Sequence, residues 1–74
     1  MTDYELLQAL DRCAQEVSRW EAGFLDSMLR RGEGYWPRPG QRGVMREMAE
    51  RYLDPQVWGE WRSQERLRTN EPDA

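Results

Sequence analysis

The stretch Gly32-Glu33-Gly34-Tyr35-Trp36-Pro37-Arg38-Pro39-Gly40 restricts this chain more than any other. Pro37 and Pro39 push Trp36 and Arg38 into extended or polyproline-like backbone, because the residue before a proline clashes in the helical region. Gly32 suits a helix C-cap, and Pro39 suits the first position of a following helix, where a missing N–H does no harm. On either side, apolar residues recur every three or four positions. Residues 18–53 therefore read as a helix from Trp20 to Leu29, a stiff loop, and a helix from Gln41 to Leu53, with the remaining helices flanking this unit and completing its core.

The flanks carry their own punctuation. Thr2-Asp3-Tyr4-Glu5 matches a capping box and predicts a helix from about Asp3, with Leu6, Leu10, Cys13 and Val17 as an apolar stripe and Leu7 and Ala14 beside it. Ser18-Arg19-Trp20-Glu21 repeats the box, which predicts a break near Val17; the rival is one long helix from Asp3 to Arg31, since no glycine or proline divides the two segments. The second helix turns Trp20, Phe24, Leu25, Met28 and Leu29 to one side and Glu21, Asp26 and Arg30 to water, with Asp26 and Arg30 spaced for an i,i+4 pair. Gly23 either weakens this helix by about 1 kcal/mol relative to alanine or admits a close helix contact.

In the third helix Val44, Met45, Met48, Ala49, Tyr52 and Leu53 keep three-and-four spacing, while Glu47 and Arg51 lie on the outer face. Asp54-Pro55 supplies a cap and a first helical residue for a fourth helix, with Leu53 and Trp58 placed as a hydrophobic staple. That helix buries Val57, Trp58 and Trp61, with Leu67 as a last anchor. The expected architecture is all-α: a small bundle of three to four short helices forming one domain over 1–68, with a polar, disordered tail over 69–74.

A chain of 74 residues buries only ~60% of the surface its unfolded form exposes, so self-association or a partner would help it. A single cysteine, Cys13, reads as a reduced core residue, which favours a cytoplasmic setting. No apolar run reaches the ~20 residues that span a bilayer, and the N-terminus lacks a signal-peptide pattern. All 11 basic residues are arginine, and lysine, histidine and isoleucine are absent. Codon usage in a GC-rich genome accounts for this more simply than selection for recognition.

The charge is segregated. Asp3, Glu5, Asp11, Glu16, Glu21 and Asp26 outnumber Arg12 and Arg19, whereas Arg30, Arg31, Arg38, Arg42 and Arg46 face only Glu33. Beyond residue 46 acid again dominates. Without histidine or lysine, Cys13 and the serines have only carboxylates as activating bases, so the expectation is a protein that is not an enzyme. No spacing suggests a metal site or a phosphate-binding glycine loop, and no cofactor is expected.

What remains is a contact surface. Tyr35 and Trp36 stand among Arg30, Arg31, Arg38, Arg42 and Arg46, the residue types that dominate binding hot spots. The same mixture could hold nucleic acid, with arginines on phosphates and aromatics on bases. The structural alternative is that Trp36 folds back over the helix ends and the arginines pair with the acidic excess. Four tryptophans exceed what so small a core encloses; Trp20, Trp58 and Trp61 are read as mainly core, with one or two of the four at a partner or subunit interface. A homodimer is one form this could take.

Taken together, Trp20-Glu21, Phe24-Leu25, Ser27, the glycine-rich loop, Pro39, Gln41-Arg42 and Glu50-Arg51-Tyr52 resemble a helix-loop-helix segment of small phage and prophage proteins. Arg38 stands where that pattern has a threonine or serine cap, and Gly40 and Gly43 replace better helix formers. The resemblance implies a small stoichiometric inhibitor of host defence, including anti-CRISPR proteins that bind a CRISPR-Cas effector and block or misdirect its DNA binding. Other such proteins accompany phage replication or recombination. A host bacterial cytoplasm is the implied setting.

Overall fold

The computed structural model describes residues 1–13 and 15–69, with side chains as far as Glu65 in the last helix. Four helices occur in it: α1 (Asp3–Asp11), α2 (Arg19–Arg30), α3 (Pro39–Tyr52) and α4 (Pro55–Thr69), and no strand is present among the described residues. The all-α bundle with its glycine/proline loop between the second and third helices is thus the fold observed. Its fourth helix takes in Thr69, the first residue of the stretch expected to be disordered; residues 70–74 and Ala14 lie outside the described residues, as does the side chain of Leu67.

Both capping boxes form as the sequence predicts. Thr2 Oγ1 accepts the Glu5 N–H at 3.1 Å while Glu5 Oε1 accepts the Thr2 N–H at 2.7 Å, and Ser18 with Glu21 repeats these bonds. The break between α1 and α2 is therefore real, but it comes earlier than Val17. The helix ends at Asp11 with Arg12 as its cap, and tighter turns then take over: Cys13 N–H donates to Leu10 O at 2.9 Å and Glu16 N–H to Cys13 O at 2.8 Å. An unbroken helix would carry α2 away from α1; the early turn brings Leu25 and Met28 back onto Leu6 and Leu10 in one core.

The centre of the bundle also differs from the sequence reading. α1 packs against α2, α3 and α4, and α3 against α4, whereas the backbones of α2 and α3 do not approach closely. The reason lies in the burial of α1, where Leu6, Leu7, Ala9 and Leu10 are all covered. At 3.6 residues per turn these positions span roughly 160° of the helix surface, wide enough for several neighbours. So the organising element is α1, and the helix-loop-helix unit wraps around it.

The loop leaves α2 through Gly32, whose φ of 84° is the left-handed backbone that favours glycine at a helix C-cap. Pro39 opens α3 as N1, and Pro55 follows Asp54, whose Oδ1 accepts the Gln56 N–H at 2.8 Å. Trp58 and Trp61 are buried as expected, but Val57 is exposed, because the core side of α4 is set by Trp58, Trp61 and Glu65. Gly23 faces solvent, and a Cβ added there meets nothing within 4 Å, so it marks no close helix contact. Gly23→Ala is expected to stabilise the fold by about 0.5–1 kcal/mol, as does Gly43→Ala, by removing unfolded-chain entropy. A lower urea midpoint for either variant would contradict this.

Two polar clusters fasten the helices. Asp3 accepts a bidentate pair from Arg42, Nη1 to Oδ1 at 3.1 Å and Nη2 to Oδ2 at 3.0 Å, and its Oδ1 also accepts the Trp61 indole N–H at 2.8 Å. Arg42 Nη1 donates in addition to Glu65 Oε2 at 3.0 Å, so one buried guanidinium joins α1, α3 and α4. The second cluster centres on Glu21. Its Oε1 accepts the Tyr52 hydroxyl at 2.6 Å and its Oε2 the Arg51 guanidinium at 3.0 Å, which ties the start of α2 to the end of α3. Glu21 is therefore buried, 5% exposed, and does not face water as its charge suggests.

Candidate interaction surface

The loop between α2 and α3 is held from below. Pro37 is among the most completely buried residues of the chain and plugs the core where the sequence offered Trp36 for that task. A proline here needs no backbone acceptor and already has the right φ, so it can be buried without stranding an N–H. Trp36 is left 68% exposed, with the Arg42 guanidinium carbon 5.2 Å from its ring centroid. That cation–π contact holds one face of the indole. Tyr35 is half-buried: its hydroxyl donates to Gln41 Oε1 at 2.8 Å, and the Arg31 guanidinium lies 4.8 Å from its ring centroid. Gln41 Oε1 also accepts the Arg38 N–H at 2.8 Å, supplying the return half of a capping box that arginine cannot complete.

The structure divides the arginines predicted for this surface. Arg42 is drawn into the core network and is 7% exposed, its charge taken up by Asp3 and Glu65. The exposed members are Arg30, Arg31, Arg38 and Arg46. Arg30 makes the expected i,i+4 pair with Asp26 at 3.1 Å, both side chains well exposed, which adds only about 0.3–0.5 kcal/mol. Arg38 makes no ion pair among the described residues.

A second tryptophan is exposed, Trp20, which the sequence reading assigned to the core. Trp20 is 64% exposed and stacks on Phe24, with ring centroids 5.7 Å apart and planes 12° from parallel. The physical reason is that Glu21 and Leu25, not Trp20, take the core side of the first turns of α2. Trp20 and Phe24 line a shallow groove with Arg38, Gly40, Gln41 and Val44 of the α3 start, about 430 Å³ in volume. Arg38 thus stands two residues after Trp36 in sequence and beside the Trp20–Phe24 stack in space. Large exposed aromatics beside arginine are what distinguishes binding surfaces from ordinary protein surface.

Among the described residues no group of three or more histidine, cysteine, aspartate or glutamate side chains is placed to hold a metal ion, and no helix is long and apolar enough to cross a membrane. The half-buried Cys13 directs its thiol toward Ala9 O at 3.7 Å and Tyr52 O at 4.0 Å, contacts of a packed side chain. No protein-family model, curated protein or solved structure matches the chain.

Proposed function

We propose that this protein is a non-enzymatic, phage-type inhibitor that docks on a bacterial defence complex, a CRISPR-Cas effector foremost, and blocks or misdirects its DNA binding. The observation that carries the binding role is the exposure of Trp20 and Trp36, 64% and 68%, in a domain whose other two tryptophans are fully enclosed. Leaving two indoles in water forgoes several kcal/mol of burial in a marginal core, on the order of 2 kcal/mol for each large side chain. A partner that covers them recovers that energy. The defence-complex identity rests on the resemblance of residues 18–53 to small phage proteins, and a cytoplasmic setting follows from it.

Pull-down of a CRISPR-Cas effector by the wild-type chain, against the double variant Trp36→Ala with Arg38→Ala, tests the proposal. Capture by wild type and at least tenfold weaker capture by the variant is the expected result. Equal capture removes the loop from the account, and no capture by wild type removes the effector. The exposed Arg30, Arg31, Arg38 and Arg46 of the basic segment favour nucleic acid as a second reading. Its mark is an affinity for short DNA or RNA that falls steeply with salt, and absence of any shift at low salt ends it.

A further inference from the structure

The groove between α2 and α3 constrains the chemistry of what enters it. It is lined by the near-parallel Trp20–Phe24 stack of α2 and by Val44 of α3, with Gly40 adding no side chain. Its volume, about 430 Å³, lies at the small end of the ~300–1,000 Å³ of ligand-holding clefts, suited to one aromatic side chain more than to a helix face. Arg38 is the one charged residue in its wall, exposed and without an ion pair among the described residues; Arg19, next to Trp20, is exposed and likewise unpaired there.

We infer that this groove receives an aromatic side chain of a partner protein flanked by carboxylates, the ring against Trp20 and Phe24 and an acid on Arg38. The inference rests on the binding role proposed above and specifies the partner's chemistry. Charge complementarity selects this occupant over a second copy of the chain. A two-fold pair with the groove on its axis would set Arg38 of each copy against Arg38 of the other, whereas an acidic segment neutralises it. An arginine fork beside an aromatic wall also rewards a carboxylate held one residue from the ring, where both contacts form together.

The probes are acetyl-Asp-Phe-Asp amide and its uncharged counterpart acetyl-Asn-Phe-Asn amide, titrated into the isotope-labelled full chain at low salt and followed by NMR at the Trp20 indole N–H and the Gly40 amide. The charged peptide is expected to move both signals and to bind about fivefold tighter than the uncharged one, the scale of an exposed charge pair. In Arg38→Gln the preference should shrink to less than twofold while the ring still binds. Gly40→Leu fills open space at the groove wall, since a Cβ there meets nothing within 4 Å, so it keeps the fold and should abolish both titrations.

Absence of any shift with either peptide, equal binding of the two, or binding unaffected by Gly40→Leu overturns the inference. So does a concentration-dependent shift of the same signals without peptide, which assigns the groove to a second copy. Capture of the effector with failed peptide titrations leaves the Trp36 loop as the contact and removes the groove. Successful titrations with failed capture support the groove and remove the effector.

Discussion

Arg42→Ala is expected to destabilise the protein by about 3–5 kcal/mol, the cost of breaking a buried ion pair from one side. The variant removes the guanidinium that Asp3 and Glu65 share at 3.0–3.1 Å, leaving the buried Glu65 carboxylate without this cation while Asp3 keeps the Trp61 indole N–H. Domains have only about 5–15 kcal/mol of stability, and one this small belongs at the lower end, so much of the variant population should be unfolded at room temperature. The loss has a signature that a simple packing defect lacks. Adding Glu65→Leu to Arg42→Ala should restore part of the stability, because the buried charge that lost its guanidinium disappears. Urea unfolding followed by circular dichroism reads both values. A cost below about 1 kcal/mol for the single variant, or a further loss in the double, would show that the network is not the fastening described above.

Glu21→Ala carries the second large effect, about 2–3 kcal/mol, since it removes charge-assisted bonds to the Ser18 N–H, the Tyr52 hydroxyl and Arg51 at once. The same carboxylate sets a pH dependence. Its pKa is lowered from the ordinary 4.5, chiefly by the Ser18 backbone N–H and next by the Tyr52 hydroxyl, against the opposing cost of burial. Tyr52 is correspondingly raised by its bond to Glu21. A carboxylate depressed in the folded state contributes stability that is present above its unfolded pKa and is lost as pH falls through the folded one. Wild-type stability should therefore decline from about pH 4.5 downward, and Glu21→Gln should decline less over that range. Parallel acid curves for the two proteins would exclude Glu21 as the source.

These two clusters share a property that explains why the sequence concealed them. Arg42 stands three residues before Met45, Glu65 four after Trp61, Asp3 three before Leu6, and Glu21 four before Leu25. Each lies on the buried face of its helix by the same three-and-four spacing that places the leucines and methionines. Hydropathy reads a charge at such a position as an interruption. Spacing alone could have flagged it as a buried charge in need of a partner, but the partners of Arg42 lie 39 and 23 residues away, where local periodicity carries no information.

Helix existence, by contrast, was legible because its signals are local. Two serine/threonine–glutamate boxes, Gly32 after α2, and Pro39 and Pro55 at helix starts act through bonds spanning three or four residues, and the structure forms each of them. The exposed Trp20 and Trp36 were not legible, because a large aromatic at a helical spacing or beside a proline is equally compatible with core. Burial of Glu21 on one side of α2 and of Pro37 beneath the loop decided both in favour of solvent.

The sequence by itself therefore determined an all-helical chain, its helix starts and the stiff basic loop, since caps, prolines and periodicity are written within one or two turns. Only the tertiary structure decided that α1 is the hub, that Arg42 and Glu21 are internal fasteners, and that Trp20 is exposed in a groove it shares with Arg38. Those outcomes depend on which helix faces compete for the same limited interior, a property of the packed chain and not of any segment of it.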